Sequence, residues 1–183
     1  MNRGVKPETG GETPPIHSAT GVSQLHIANR QRTKKINVRL LKQIIGELFR
    51  ELNITEAELG ITLVGAKKMA QVNRDFLRHE GSTDVITFDH SETRKLESGK
   101  RKILHGELFI CVTDAIQQAK KFNTSWQSEV VRYVVHGVLH LLGYDDLKPH
   151  LRRAMKREEN RLVRRLERRF ALAQLSRPAK MGA

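Results

Sequence analysis

The spacing of apolar positions changes several times along the chain, and each change marks an element. Leu25 and Ile27 alternate with His26 and Ala28, which predicts a first strand over residues 25–29. Val38, Leu41, Ile44, Ile45, Leu48, Phe49 and Leu52 then recur at three and four, predicting an amphipathic helix over 37–52. Ile61, Thr62, Leu63 and Val64 lie between Gly60 and Gly65 and read as a second strand. Met69, Val72 and Phe76 restore helical spacing over 66–77. Val85 to Phe88 forms a β-branched and aromatic third strand, a polar and basic loop follows over 91–102, and residues 107–112 form a fourth strand. Helices are predicted over 113–122, over 126–142 behind a Ser125 cap, and over 147–173. The last carries Leu151, Met155, Leu162, Leu166 and Phe170 on one stripe and arginine elsewhere.

The order β-α-β-α-β-β-α-α-α predicts an α+β domain. About four strands form one small mixed sheet, packed with about five helices. No internal repeat is visible. Residues 1–22 are polar, contain glycine and proline, and lack periodicity, so a disordered basic tail is expected there.

Charge changes the picture by where it sits. The formal net charge of the 183 residues is +13. Residues 1–35 carry six basic and two acidic side chains, residues 147–183 twelve and three, and residues 36–146 fifteen of each. The excess therefore lies in two basic ends around a neutral centre. Either the C-terminal helix is simply solvated, or the ends hold a phosphate backbone while the centre does chemistry. On the second view, loss of residues 160–183 is expected to weaken nucleic-acid affinity. The single cysteine, Cys111, sits among apolar neighbours, reads as a buried small hydrophobe and fits a reducing compartment. No apolar run approaches a membrane span, and the first twenty residues lack the apolar block of a secretory signal, so a cytoplasmic protein is expected.

The stretch from His136 to Asp146 carries the candidate chemistry. His136 and His140 lie four apart on a helix, which stacks both imidazoles on one face. Gly143 ends that helix, and the returning chain brings Asp146 toward the same point. Two imidazoles and a carboxylate form a competent zinc set that leaves a fourth position for water, which such an ion acidifies. Two histidines at this spacing can equally be satisfied core residues. His150 is an alternative third ligand. Gly137 stands where zinc peptidases of the H-E-x-x-H type place their glutamate base, and glycine cannot accept a proton.

The same stretch resembles the signature H-G-x-L-H-L-x-G-Y-D-H of the YbeY family, with Asp146 in place of the last histidine. Asn73 to Phe88 resembles that family's N-(x)-R-(x)-T-D-V-L-S-F block, and Gly106 to Cys111 its G-D-I-x-I strand. The resemblance covers about residues 25–160. It implies a zincin-like metal helix in a metallo-hydrolase domain over 23–160, followed by a basic helical extension and tail over 161–183. It also implies a zinc-dependent endoribonuclease holding one ion per chain on His136, His140 and Asp146. An aspartate ligand is harder than histidine and shifts preference toward manganese or magnesium. The family's arginine falls at Leu77 here, which leaves Arg78, one residue on, as the catalytic candidate. Thr83 and Asp84 match the block directly, either shaping the turn into the strand or contacting substrate.

The resemblance further implies single-stranded RNA as substrate, in 16S rRNA 3′-end maturation on the small ribosomal subunit and in ribosome quality control. A ribosomal protein or an assembly GTPase is an implied partner. The main alternative is a non-catalytic rRNA-binding assembly factor whose metal is structural. A peptidase is the third reading, and Gly137 opposes it.

Overall fold

The computed structural model describes residues 23–78, 80–91 and 102–176. The tail expected over 1–22, all but the ends of the loop expected over 91–102, and the tail beyond 176 lie outside the described residues. The element order is the one expected: β1 (Ser23–Asn29), α1 (Val38–Glu51), β2 (Ile54–Val64), α2 (Ala66–Val72), β3 (Val85–Asp89), β4 (Lys102–Cys111), α3 (Val112–Phe122), α4 (Trp126–Leu141) and α5 (Pro149–Arg169). A π-helical turn, Asn73–Leu77, extends α2, and a 3₁₀ turn, Leu172–Ser176, follows α5. The fold is α+β, with five helices and one mixed sheet.

The sheet runs β1-β2-β4-β3. β2 is parallel to both β1 and β4, while β3 pairs antiparallel with β4 at one edge. Two strands are longer than their apolar runs suggest. β2 begins at Ile54 because Ala57, Leu59, Ile61 and Leu63 point inward while Glu56, Glu58, Gly60 and Thr62 alternate outward. β4 begins at Lys102 on the same logic, with Leu104, Leu108 and Ile110 buried. Val112 falls in α3 rather than at the end of β4.

One core lies between the sheet and α1, α4 and α5. α1 starts where Asn37 Oδ1 accepts the Leu40 N–H at 3.1 Å, and it buries Leu41, Ile44, Ile45, Leu48 and Phe49. α4 starts on the expected cap, with Ser125 Oγ accepting the Ser128 N–H at 3.1 Å. Val130, Val131, Val134, Val135, Val138 and Leu139 of α4 enter the same core. So do Met155, Leu162, Val163 and Leu166 of α5, and Leu172 and Leu175 beyond it. Deleting residues 160–183 would therefore remove five core side chains, so it would not isolate the effect of charge.

Gly137 fixes how closely α4 approaches β4. A Cβ added there would lie 2.6 Å from Cδ2 of Leu108, a side chain with no solvent exposure. The helix that carries both histidines thus rests against the strand through a missing side chain.

Candidate metal centre

The end of α4 builds the centre. Gly143 has φ +89°, the left-handed region that glycine accepts without strain. Its N–H donates to the His140 carbonyl at 2.8 Å, and the Tyr144 N–H donates to the Leu139 carbonyl at 3.0 Å. This pair of bonds is a Schellman cap, and it turns the chain back over the helix face. The Tyr144 carbonyl then accepts from His140 Nδ1 at 3.1 Å. Arg152 Nε donates to the Asp146 carbonyl at 2.9 Å, tying the turn to α5.

Both imidazoles are oriented from behind. His136 Nδ1 is 3.0 Å from Glu159 Oε2, and His140 Nδ1 faces a carbonyl. A carbonyl only accepts, so His140 carries its proton on Nδ1. Glu159 is ionised, so His136 carries its proton on Nδ1 as well. The two Nε2 atoms, the ones these partners leave free, face each other at 3.0 Å. A divalent ion bound there would take one lone pair from each ring. One donor atom from each of His136, His140 and Asp146 lies within 4.8 Å of the others. This nitrogen and oxygen set fits a divalent ion. Burial, followed by the charge of His136, lowers the pKa of His140 and favours the neutral ligand form.

Glu159 is the residue that sequence reasoning missed. It lies on the apolar stripe of α5, between Met155 and Leu162, and is only 3% exposed. Burial alone would raise its pKa. Hydrogen bonds from His136, Lys156 and Arg132 outweigh burial and hold the carboxyl at about 2, against an ordinary 4.5. Oε1 accepts from Arg132 Nη1 at 2.6 Å and from Lys156 Nζ at 2.7 Å. A charged residue inside an apolar stripe is the signal that could have found it. Such an outer carboxylate fixes ring orientation, and its loss typically costs roughly 10–100-fold in metal affinity. Glu159→Gln is expected to weaken metal binding within that range in a chelator competition. Unchanged affinity would refute the positioning role.

A cavity of about 480 Å³ opens beside the centre. His136 and Asp146 line it, together with the cations Arg132, Arg152 and Lys156 and the acids Asp84, Glu129 and Glu159. Tyr133 and Gln118 line it as well. The Tyr133 hydroxyl and Gln118 Oε1 are buried without a hydrogen-bond partner among the described residues. Burial, then the charges of Asp84 and Glu129, push the Tyr133 hydroxyl upward, so it stays protonated.

The remaining sequence candidates fall as follows. His150 is exposed on the first turn of α5 and is not part of the three-residue group. Arg78 is exposed at φ +56°, just past the π-helical turn, and does not line the cavity. Asp84 Oδ1 accepts from Thr83 Oγ1 at 3.1 Å and from the Val85 N–H at 2.9 Å, so both residues shape the turn into β3. Cys111 is buried, and burial raises its thiol pKa, as suits a packing residue. No helix among the described residues is long and apolar enough to cross a membrane.

Residues 26–167 match the model of the protein family described as Endoribonuclease YbeY. A protein of that name from Syntrophotalea carbinolica is 33% identical over 124 residues, which cover 68% of this chain and 81% of the relative. Another from Chlorobium luteolum is 31% identical over 143 residues, covering 78% of this chain and 98% of the relative. The fold also resembles the solution structure of TM1509 from Thermotoga maritima. That match has a TM-score of 0.58 at 23% identity, covering 87% of this chain and 99% of the other. Fold, three-residue centre and a match over most of its length agree: this chain belongs to the YbeY family.

Proposed function

We propose that the chain is a metal-dependent endoribonuclease that cuts single-stranded RNA, with one zinc ion held by His136, His140 and Asp146. The proposed substrate is the 3′ region of 16S rRNA, in the cytoplasm, in small-subunit maturation and ribosome quality control. A ribosomal protein or assembly GTPase is the proposed further partner. The observation that carries the reading is the pair of Nε2 atoms 3.0 Å apart, with Asp146 beside them at the wall of a cavity that Arg132, Arg152 and Lys156 also line.

When bound, a divalent ion supplies charge to a phosphoryl oxygen and lowers the pKa of an attacking water. The protein's own groups do the rest. Glu159 and the Tyr144 carbonyl hold the two rings in one tautomer and one orientation. Arg132, Arg152 and Lys156 each satisfy a fixed acceptor and keep further N–H donors for a phosphate. Arg78, exposed outside the cavity, is assigned to the substrate backbone beyond the reacting phosphate. His150 lies outside the group, which supports an ion with one face left for substrate rather than a closed structural site.

The test is cleavage of a single-stranded RNA by metal-loaded protein, beside an oligonucleotide with one 2′-deoxy residue at the cut. Loss of cutting only at the deoxy position assigns the nucleophile to the 2′-hydroxyl, and retained cutting assigns it to water. Absence of cutting on any RNA, with the metal present in stoichiometric amount, would overturn the nuclease reading in favour of a binding factor.

A further inference from the structure

α5 has two opposed faces. Met155, Glu159, Leu162, Val163 and Leu166 are buried on one. At 100° per residue, Arg153, Arg157, Arg164 and Arg168 fall within roughly 60° of arc on the other. All four are exposed, and none has an ion-pair partner among the described residues. Their neighbours behave differently. Arg165 donates to both oxygens of Glu51 at 2.9 and 2.6 Å, Arg161 pairs with Glu158 at 2.6 Å, and Arg169 pairs with Glu47 at 3.2 Å. The protein thus neutralises the flanks of the helix and leaves its crest uncompensated.

Of the crest arginines, Arg157, Arg164 and Arg168, with Asn160, Arg161 and Arg165, line an open depression between side chains on the outer face of α5. At 1.5 Å rise per residue the four arginines span roughly 22 Å along the axis. The N-terminal end of the row adjoins the cavity beside the centre, because Lys156, which lines that cavity, lies three residues from Arg153 and is its neighbour on the helix surface. Like charges four apart weaken a helix by a few tenths of a kcal/mol per pair, so an unpaired row persists at some cost to stability.

We infer that Arg153, Arg157, Arg164 and Arg168 form a track that holds the sugar–phosphate backbone of the RNA strand where it leaves the cavity. The inference rests on the reading of RNA as substrate. Guanidinium forks suit phosphate oxygens, and one arginine per phosphate gives four contacts. A membrane surface fits less well, because a helix lying on lipid buries an apolar face, and the apolar face of α5 is already in the core. The contacts carry no sequence information, so the track sets affinity and register rather than base preference.

The test compares the full chain with the variant R153Q/R157Q/R164Q/R168Q. Binding of a fluorescein-labelled, cleavage-resistant 2′-O-methyl oligouridine is followed by anisotropy across a salt series. Four contacts to a single strand predict that the variant's log–log salt slope is shallower by about 3, at roughly 0.7 per contact. The affinity advantage of the unaltered chain should accordingly shrink by roughly 50-fold between 50 and 200 mM salt. Cleavage of an oligonucleotide short enough to occupy only the cavity should be unchanged. An unaltered slope in a variant with normal circular dichroism overturns the track. So does an unaltered slope combined with loss of binding to phosphatidylserine vesicles, which would assign the row to a lipid surface. If the slope falls while no RNA is cut by either protein, the track stands and the nuclease reading falls.

Discussion

Alanine at position 136 is expected to release the ion and abolish RNA cleavage while leaving the protein folded. His136 supplies one of only three donors in the group, so its loss should exceed the roughly 10–100-fold drop in affinity that follows removal of an outer partner. The fold survives for a local reason. Glu159, the buried acid behind His136, keeps Arg132 and Lys156 as partners when the imidazole is gone, so no buried charge is stranded. Elemental analysis, cleavage of a labelled single strand and a urea titration measure the three consequences separately. Full metal content in the purified variant would remove His136 from the centre. Unfolding together with metal loss would instead favour a structural ion.

Glutamate at position 137 is expected to prevent stable folding rather than to create a peptidase. The position sits between the two histidines, where a base would be useful. Yet even a Cβ there would meet Leu108 Cδ2 at 2.6 Å and Cδ1 at 3.0 Å, in a part of the core with no exposure. Overpacking of this kind typically costs about 1–3 kcal/mol, which is the loss expected for Gly137→Ala. Glutamate adds a buried carboxylate with no place for a partner, at a further cost of several kcal/mol. Chemical denaturation of both variants tests the order. A G137E protein as stable as the parent would mean that α4 does not rest on β4 in this way.

Much of this arrangement was legible in the chain. The helical spacing from Val38 to Leu52 gives α1 to within a residue or two, because its apolar positions are large and regular. Ser125 and Gly143 mark the ends of α4 through backbone chemistry that depends on no distant contact. The histidines and Asp146 converge because a helical turn and a Schellman cap are local geometry. What stayed hidden depended on distant neighbours. The first half of β2 lacks a dense apolar run and is a strand because β4 pairs with it, in steady register from Glu56 onward after an irregularity between Ile54 and Glu56. The π-helical turn at Asn73–Leu77 has no spacing signature, although the Asn73 side chain donating to the Gly81 carbonyl at 3.0 Å helps hold its start. The helical stripe of α5 gives the inward side of Glu159, but its partners Arg132 and His136 on α4 are far away in sequence, so its role behind the imidazole is visible only in the packed structure.

Tyr144 joins two tasks in one peptide unit. Its amide closes α4, its carbonyl steadies His140, and its side chain is more than a third exposed. Exchanging the phenol for another side chain leaves both bonds in place, whereas proline removes the amide proton and keeps the carbonyl. Position 144 is therefore lenient toward side-chain identity and strict about the main chain, a constraint to which scanning with alanine would be blind.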